Sequence, residues 1–385
     1  MHYRDFGKTG YKISQLGMGC MRLPFIDDND LTKGVDRERA YELIRYAVDN
    51  GINFFDTAQG YHAQTSEEIL GEALEEGGRR AKVKIATKHP FWQIPPKDEV
   101  RRNLERTLKK LRTDHIDFFL MHGIGPGNWE AIQKNEIFAL FEQFKSEGLI
   151  KHISFSYHGN WENFKEVVET YPWEMCLVMQ NMLDIDREVT EKGILHAHKH
   201  GVAVTIMEPL RGGGLCYAPR AVAAVYDGYS VKRTPTEWAF RHLVNYPEVG
   251  SIVSGMSSME QLKENLEIFS KEDLKPNCLS AEEKAVIAKA RQAYDSIVTI
   301  PCTQCGYCMP CPQNVDISRI LGLYNDGHRF EFFDQPRRSY MFARRGGRGV
   351  DKCNGCGVCV PKCPQEIDIP KELQVAHAKL DGWNE

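Results

Sequence analysis

The chain of 385 residues has no uninterrupted apolar run long enough to span a bilayer. Its opening residues, MHYRDFGKTG, lack the hydrophobic stretch of a secretion signal. Strong charge of either sign is also missing: 49 basic and 53 acidic residues leave a net −4, which argues against nucleic-acid binding. No Gly-x-Gly-x-x-Gly follows the first predicted strand, so an open Rossmann sheet is disfavoured. These absences lead us to expect a cytoplasmic protein with neither a membrane nor a nucleic-acid partner. A 42% hydrophobic content is that of a folded globular chain. What stands out is cysteine, 12 in all, an odd number to find where thiols stay reduced.

Cys20, Cys176, Cys216 and Cys278 are scattered, whereas the other eight form two tight runs. One reads Cys302-x2-Cys305-x2-Cys308-x2-Cys311-Pro and the other Cys353-x2-Cys356-x2-Cys359-x3-Cys363-Pro. The second is the bacterial two-cluster ferredoxin pattern, in which three close thiolates wrap one cube and the fourth, before proline, ligates the other. By that rule Cys302, Cys305, Cys308 and Cys363 hold one [4Fe–4S] cluster, and Cys353, Cys356, Cys359 and Cys311 hold a second. The first run departs from the pattern before Cys311, with two residues instead of three. Two four-cysteine zinc sites are the alternative, though triple x2 spacing fits zinc poorly. Arg337, Arg338, Arg344, Arg345 and Arg348 lie between the runs. They read equally as a docking surface for an acidic redox partner or as a solvated basic loop.

Upstream, apolar β-rich runs alternate with helical patterns. Strands are predicted at residues 13–19, 52–57, 83–88, 116–122, 152–157, 176–181, 202–208 and 250–255. Amphipathic helices are predicted at 37–50, 66–77, 97–111, 136–147 and 161–170. Ser66, with Glu67 and Glu68, reads as a helix start. Eight such units make a (β/α)8 barrel over residues 1–295, followed by a small, mainly helical ferredoxin-like domain over 296–385. The opening residues read as a hairpin turning at Lys8-Thr9-Gly10 that plugs the barrel bottom.

Barrel enzymes build their sites at the carboxyl ends of the strands. Those ends supply Asp56, Lys88 and His122, with Tyr61 on the loop after Asp56. The set suits proton donation: an ammonium lowers the tyrosine pKa, the aspartate holds the lysine, and the histidine binds the substrate oxygen.

The segments FFDTAQGYHAQTSEEILGEAL, KIATK, DHIDFFLMH and GSIVSGMSSMEQLKENL resemble the aldo/keto reductases. With the C-terminal cysteines, the chain resembles the prokaryotic subgroup carrying a ferredoxin domain. The resemblance implies a catalytic tetrad of Asp56, Tyr61, Lys88 and His122, with Tyr61 as general acid. It also implies NADP(H) or NAD(H) bound without a Rossmann fold, delivering hydride to an aldehyde or ketone. Implied cofactor contacts are Gly19, Cys20 and Met21 after the first strand, Ser156 and Gln180 further on, and Met207, Pro209 and Leu210 after the seventh. Gly255, Ser257, Gln261 and Asn265 complete them, with Lys263 nearby.

The chain departs from the family at several of these positions. Ser156-Tyr157 replaces a serine-asparagine pair, and Met207, followed by Glu208, replaces a stacking aromatic. Gly255 and Gln261 stand where members with strong NADPH preference have a lysine and an arginine. Met21, Arg22, His62, Phe91, Trp92 and Trp129 follow strand ends and are pocket candidates. Arg22 could hold a carboxylate or phosphate, and His62 and His89 could relay protons.

Nicotinamide moves a hydride and each cluster one electron, with no evident flavin site to connect them. Three readings follow: a carbonyl reductase with structural or sensing clusters, an oxidoreductase coupled to an external ferredoxin or flavoprotein, and an electron-transfer subunit on a barrel scaffold. The intact tetrad favours an enzyme.

Overall fold

A computed structural model of the chain describes residues 1–27, 33–91 and 94–381. Contacts divide it into two units: Met1–Pro209 with Phe240–Leu279, and Leu210–Ala239 with Ser280–Glu385. Helix Ala281–Ser296, which the sequence assigns to the barrel, therefore groups with the C-terminal residues.

The first unit opens with an antiparallel hairpin, β1 (Tyr3–Asp5) and β2 (Lys12–Ser14), in the register Tyr3↔Ser14. The expected turn is closed by the Thr9 amide and hydroxyl, both donating to the Phe6 carbonyl. Gly7 sits at φ +53, and a side chain there would start 2.8 Å from the Ala203 nitrogen. Only glycine allows this approach, which carries Phe6 and Ile13 into the barrel interior against Phe54, Phe118 and Ala203. The hairpin is the plug foreseen from the sequence.

All eight predicted strands form, as β3 (Leu16–Gly19), β4 (Phe54–Asp56), β5 (Lys84–Pro90), β6 (Ile116–Ile124), β7 (Ile150–Tyr157), β8 (Met175–Met179), β9 (Ala203–Met207) and β10 (Val249–Gly255). They run parallel, and β10 closes the barrel on β3 through Ile252↔Leu16 and Gly255↔Gly19. The first predicted strand divides: Ile13 and Ser14 belong to the hairpin, where the Ser14 amide donates to Asn53 Oδ1.

The helices follow the apolar period. Helix Arg37–Asp49 buries Ala40, Leu43, Ile44, Ala47 and Val48, and Asp36 caps it by accepting from the Arg39 amide. Parallel strands with return helices place every strand's carboxyl end at one mouth.

The second unit is helical. Helix Ala281–Ser296 begins with a Ser280–Glu283 capping box and packs on helix Arg220–Asp227. Helices Ile317–Arg329, Asp334–Arg345 and Ile369–Leu380 share a core of Ile317, Ile320, Leu321, Tyr340, Leu373 and Ala376. Cysteines of both runs pack against that core. The buried Asn325 side chain bonds both the amide and the carbonyl of Ile300, fixing the entry to the first run. Tyr340 accepts from the Val350 amide just before the second run. Among the described residues no helix is long and apolar enough to cross a membrane.

Candidate active site

Lys88 points inward from β5 with its side chain 1% exposed. Its ammonium has three protons, and three acceptors surround it: Asp56 Oδ1 at 2.6 Å, the Thr57 carbonyl at 2.8 Å and the Tyr61 hydroxyl at 3.3 Å. Burial opposes the charge, but Asp56 and Tyr61 hold the Lys88 pKa above its ordinary value. Tyr61 stands edge-on to His122, with ring centroids 6.1 Å apart. The four expected residues thus meet at the mouth of the barrel.

The Tyr61 loop is held unusually. His62, Ala63 and Gln64 all have positive φ, of 50°, 51° and 71°, a conformation that side-chain-bearing residues adopt at an energetic cost. His62 Nε2 accepts from the Leu23 amide at 3.2 Å, tying this loop to the segment after β3. His62 is therefore a brace.

Two protonation states differ from, or sharpen, the sequence expectation. Lys88 does pull the Tyr61 pKa down, yet burial exceeds it and the net direction is up. His122 is pushed down to about 3, first by burial and then by Lys88, His158 and His89, so it is neutral at physiological pH. Cys20 is fully buried, and burial raises its thiol far above the reactive range.

The sequence missed a supporting chain. Ser66 begins helix Ser66–Glu75, as the sequence predicts. It lies buried, its hydroxyl 2.9 Å from Thr57 Oγ1 and donating to the Cys20 carbonyl at 3.0 Å. Thr57 presents its carbonyl to Lys88, so this chain ties β3 and β4 to the lysine. Glu67 is also buried and accepts from Thr87 and Thr107. The only sequence signal was that these residues flank Tyr61.

Several pocket candidates turn elsewhere. Phe91 is buried against His89 and Phe141, and Trp129 is buried with its indole donating to Glu166. His89 is buried beside Asn103 of helix Lys97–Lys110, and its pKa falls to about 4 through burial and Arg106. It is placed among helix residues instead of relaying protons. Trp92 lies outside the described residues.

Of the implied cofactor contacts, Ser156 Oγ accepts from the Gly123 amide at 2.8 Å. Tyr157 points outward, packs on Phe164 and donates to the Asn160 carbonyl. It cannot take the place of the family's asparagine. Gln180 is buried with Oε1 engaged by the Asn181 amide, and Met207 packs on the barrel core. Pro209 ends the first unit, and Leu210 opens the second with its carbonyl accepting from Gly213 and Leu215.

At the rim, Met21 beside Gly19 and Cys20 is 62% exposed. The aliphatic stem of Arg22 lies across Gly255, with Cβ and Cδ 3.1 Å from where a side chain at 255 would begin. The Ser257 hydroxyl donates to the Arg22 carbonyl, and its amide donates to Gln261. Asn265 is buried and donates to Ser254, so it anchors its helix to β10. Lys263 lies over the Tyr46 ring.

In the C-terminal unit, Cys302, Cys305, Cys308 and Cys363 line one cavity. Cys359 lies in the electrostatic reach of Cys311, Cys353 and Cys356. Burial raises the Cys308 thiol to about 11, with Cys302, Cys305 and Cys359 adding to it. Gly306 and Gly357 each follow the second cysteine of their run and hold φ of +77° and +70°. Both runs therefore turn the same way.

Among the described residues no three cysteine sulfurs gather as the ligands of one ion do. All twelve cysteines are free of disulfides.

Residues 15–285 match the aldo/keto reductase family and residues 301–372 match the 4Fe-4S dicluster domain. An uncharacterized oxidoreductase of Bacillus subtilis, YqkF, is 27% identical over 333 residues, covering 76% of this chain and 100% of the relative. Another from that organism, YrpG, is 33% identical over 235 residues, covering 55% of this chain and 68% of the relative. The holo form of aldo-keto reductase AKR11C1 from Bacillus halodurans superposes with a TM-score of 0.62 at 26% identity, covering 76% of this chain and 97% of that one. An aldo-keto reductase of Klebsiella pneumoniae in complex with NADPH has a TM-score of 0.60 at 20% identity, covering 75% and 95%, and shows a common fold. On its barrel and this match over most of its length, the chain belongs to the aldo/keto reductase family, with a 4Fe-4S dicluster domain after the barrel.

Proposed function

We propose that the chain interconverts an aldehyde or ketone and its alcohol with a nicotinamide cofactor, Tyr61 being the proton donor. The carrying observation is that Lys88 donates at once to Asp56 and to the Tyr61 hydroxyl, while Tyr61 faces a neutral His122. A nicotinamide bound at the mouth supplies the hydride. Tyr61 gives its proton to the carbonyl oxygen, and the Lys88 charge stabilises the phenolate that remains. Lys88 has all three protons engaged, so it acts on Tyr61 and not on substrate. Neutral His122 donates a hydrogen bond to the oxygen as negative charge develops there. Water then reprotonates Tyr61.

The rim fits such a cofactor. Exposed Met21 offers an apolar surface beside the backbone of Gly19, and Arg22, whose stem lies across Gly255, is our candidate cation for a cofactor phosphate. The binding of NADP(H) to the Klebsiella relative supports the phosphorylated form here. Cofactor titration by fluorescence, paired with NADPH-dependent turnover of a small aldehyde, tests this reading. Failure to bind either nucleotide would overturn it.

For the second unit, we infer two [4Fe–4S] clusters, one on Cys302, Cys305, Cys308 and Cys363 and one on Cys311, Cys353, Cys356 and Cys359. Each cluster passes one electron at a time. Cys305 and Cys356 are exposed, one in each quartet. That favours a second reading, in which an external ferredoxin or flavoprotein exchanges electrons through the clusters. Carbonyl turnover that is unchanged by cluster reduction would exclude it.

A further inference from the structure

On the outside of the barrel, helix Trp161–Thr170 and helix Thr190–Lys199 bring together Glu169, His196 and His200. His200 caps the second helix and keeps its register, its amide donating to the His196 carbonyl. The two imidazoles, four residues apart, therefore share one face, with ring centroids 4.5 Å apart. Glu169 Oε1 lies 3.1 Å from His196 Nε2, and the three ligand atoms all lie within 4.8 Å of one another.

His196 Nε2 is buried and makes no aligned hydrogen bond among the described residues, despite the nearby carboxylate. Glu169 Oε1 and His196 Nε2 also lie at a separation that neighbouring ligands of one ion take. Around an ion with bonds of about 2.0–2.1 Å, adjacent ligands sit about 3.4 Å apart. Trp161 stands edge-on to His196 at 5.3 Å and fixes its ring.

We propose that Glu169, His196 and His200 bind one divalent transition-metal ion of the zinc class, with water completing its coordination. Two imidazoles and a carboxylate suit zinc, nickel or copper, whereas the thiolate sets of the second unit suit iron–sulfur chemistry. Both helices run back from the mouth, and Glu169 and His200 lie at their far ends. The ion therefore clips two helices together at the end of the barrel remote from Tyr61.

The test is anaerobic equilibrium dialysis of the iron-loaded full chain against Zn2+, with zinc and iron counted by mass spectrometry. We expect about one zinc per chain with iron unchanged, and His196→Ala and His200→Ala each weakening zinc affinity about tenfold or more. Glu169→Gln, at a half-exposed position that does not endanger folding, should weaken it in the same direction. Wild type that takes up no zinc at 100-fold excess over protein, or variants that bind zinc as wild type does, would overturn the proposal. Zinc uptake accompanied by iron loss would also overturn it, since the cysteines would then be the site.

Discussion

The stem of Arg22 lies across Gly255, 3.1 Å from where a side chain there would begin, so any larger residue at 255 would require Arg22 to shift. Gly255 ends β10 and Arg22 follows the neighbouring strand β3, so we propose Arg22 as the cation for a cofactor phosphate. Arg22→Met should keep the packing and remove the charge. We expect NADPH affinity to fall about 10- to 100-fold, the range of one charge-assisted phosphate contact, with NADH affected little. Parallel fluorescence titrations check it, and equal losses for both nucleotides would contradict a phosphate contact.

Tyr61→Phe removes the donated proton and little else. Carbonyl reduction should drop at least about 100-fold while nucleotide affinity and cluster absorbance persist. Retained activity would exclude Tyr61 as the acid.

Lys88→Met leaves Asp56 buried without its counter-charge, and its Oδ2 already has no hydrogen bond among the described residues. Breaking a buried pair costs about 3–5 kcal/mol. The variant should therefore lose thermal stability as well as activity, and Lys88→Met/Asp56→Asn should recover part of the stability but not the activity. Melting curves on the two variants decide this.

The two proton-bearing groups set the pH profile. Tyr61 works in reduction when protonated, and burial raises its pKa above the ordinary value of about 10. Activity is thus lost only as pH rises through that raised value. His122 works when neutral and titrates at about 3, so its contribution is lost only as pH falls that far. Reduction should show a flat kcat/KM from about pH 5 to pH 9. Alcohol oxidation, which needs the phenolate, should climb with pH over the same range. A bell centred near 7 would mean another group carries the proton.

Cys311→Ser tests the crossed ligand sets. Iron should fall from about eight to about four per chain, with the Cys302, Cys305, Cys308 and Cys363 cluster kept. Unchanged iron would exclude Cys311 as a ligand.

Much of this was legible in one sequence. Strands and helices follow from apolar period, and the tetrad from which residues end the strands. Side-chain direction was less legible. Phe91, Trp129, His89 and Tyr157 all follow or end strands, yet all four turn into the surrounding structure. Counting alternate residues fails there because Phe91 and Trp129 already lie beyond the ends of β5 and β6, where the strand period no longer sets side-chain direction. Ser66 was legible as a helix start, but nothing in the sequence shows that it is buried beside Cys20 and Thr57.

The sequence by itself determined the element order, the eight-strand count, the Asp56–Tyr61 spacing and the two cysteine runs, because each is written in local period or local spacing. Tertiary structure decided the net rise of the Tyr61 pKa, since burial is a property of the assembled barrel and outweighs the neighbour that spacing could predict. It also decided that the Arg22 stem lies across Gly255 and that Cys302, Cys305, Cys308 and Cys363 line one cavity. Both depend on which distant segments the fold brings within a few ångströms, and no local pattern encodes that.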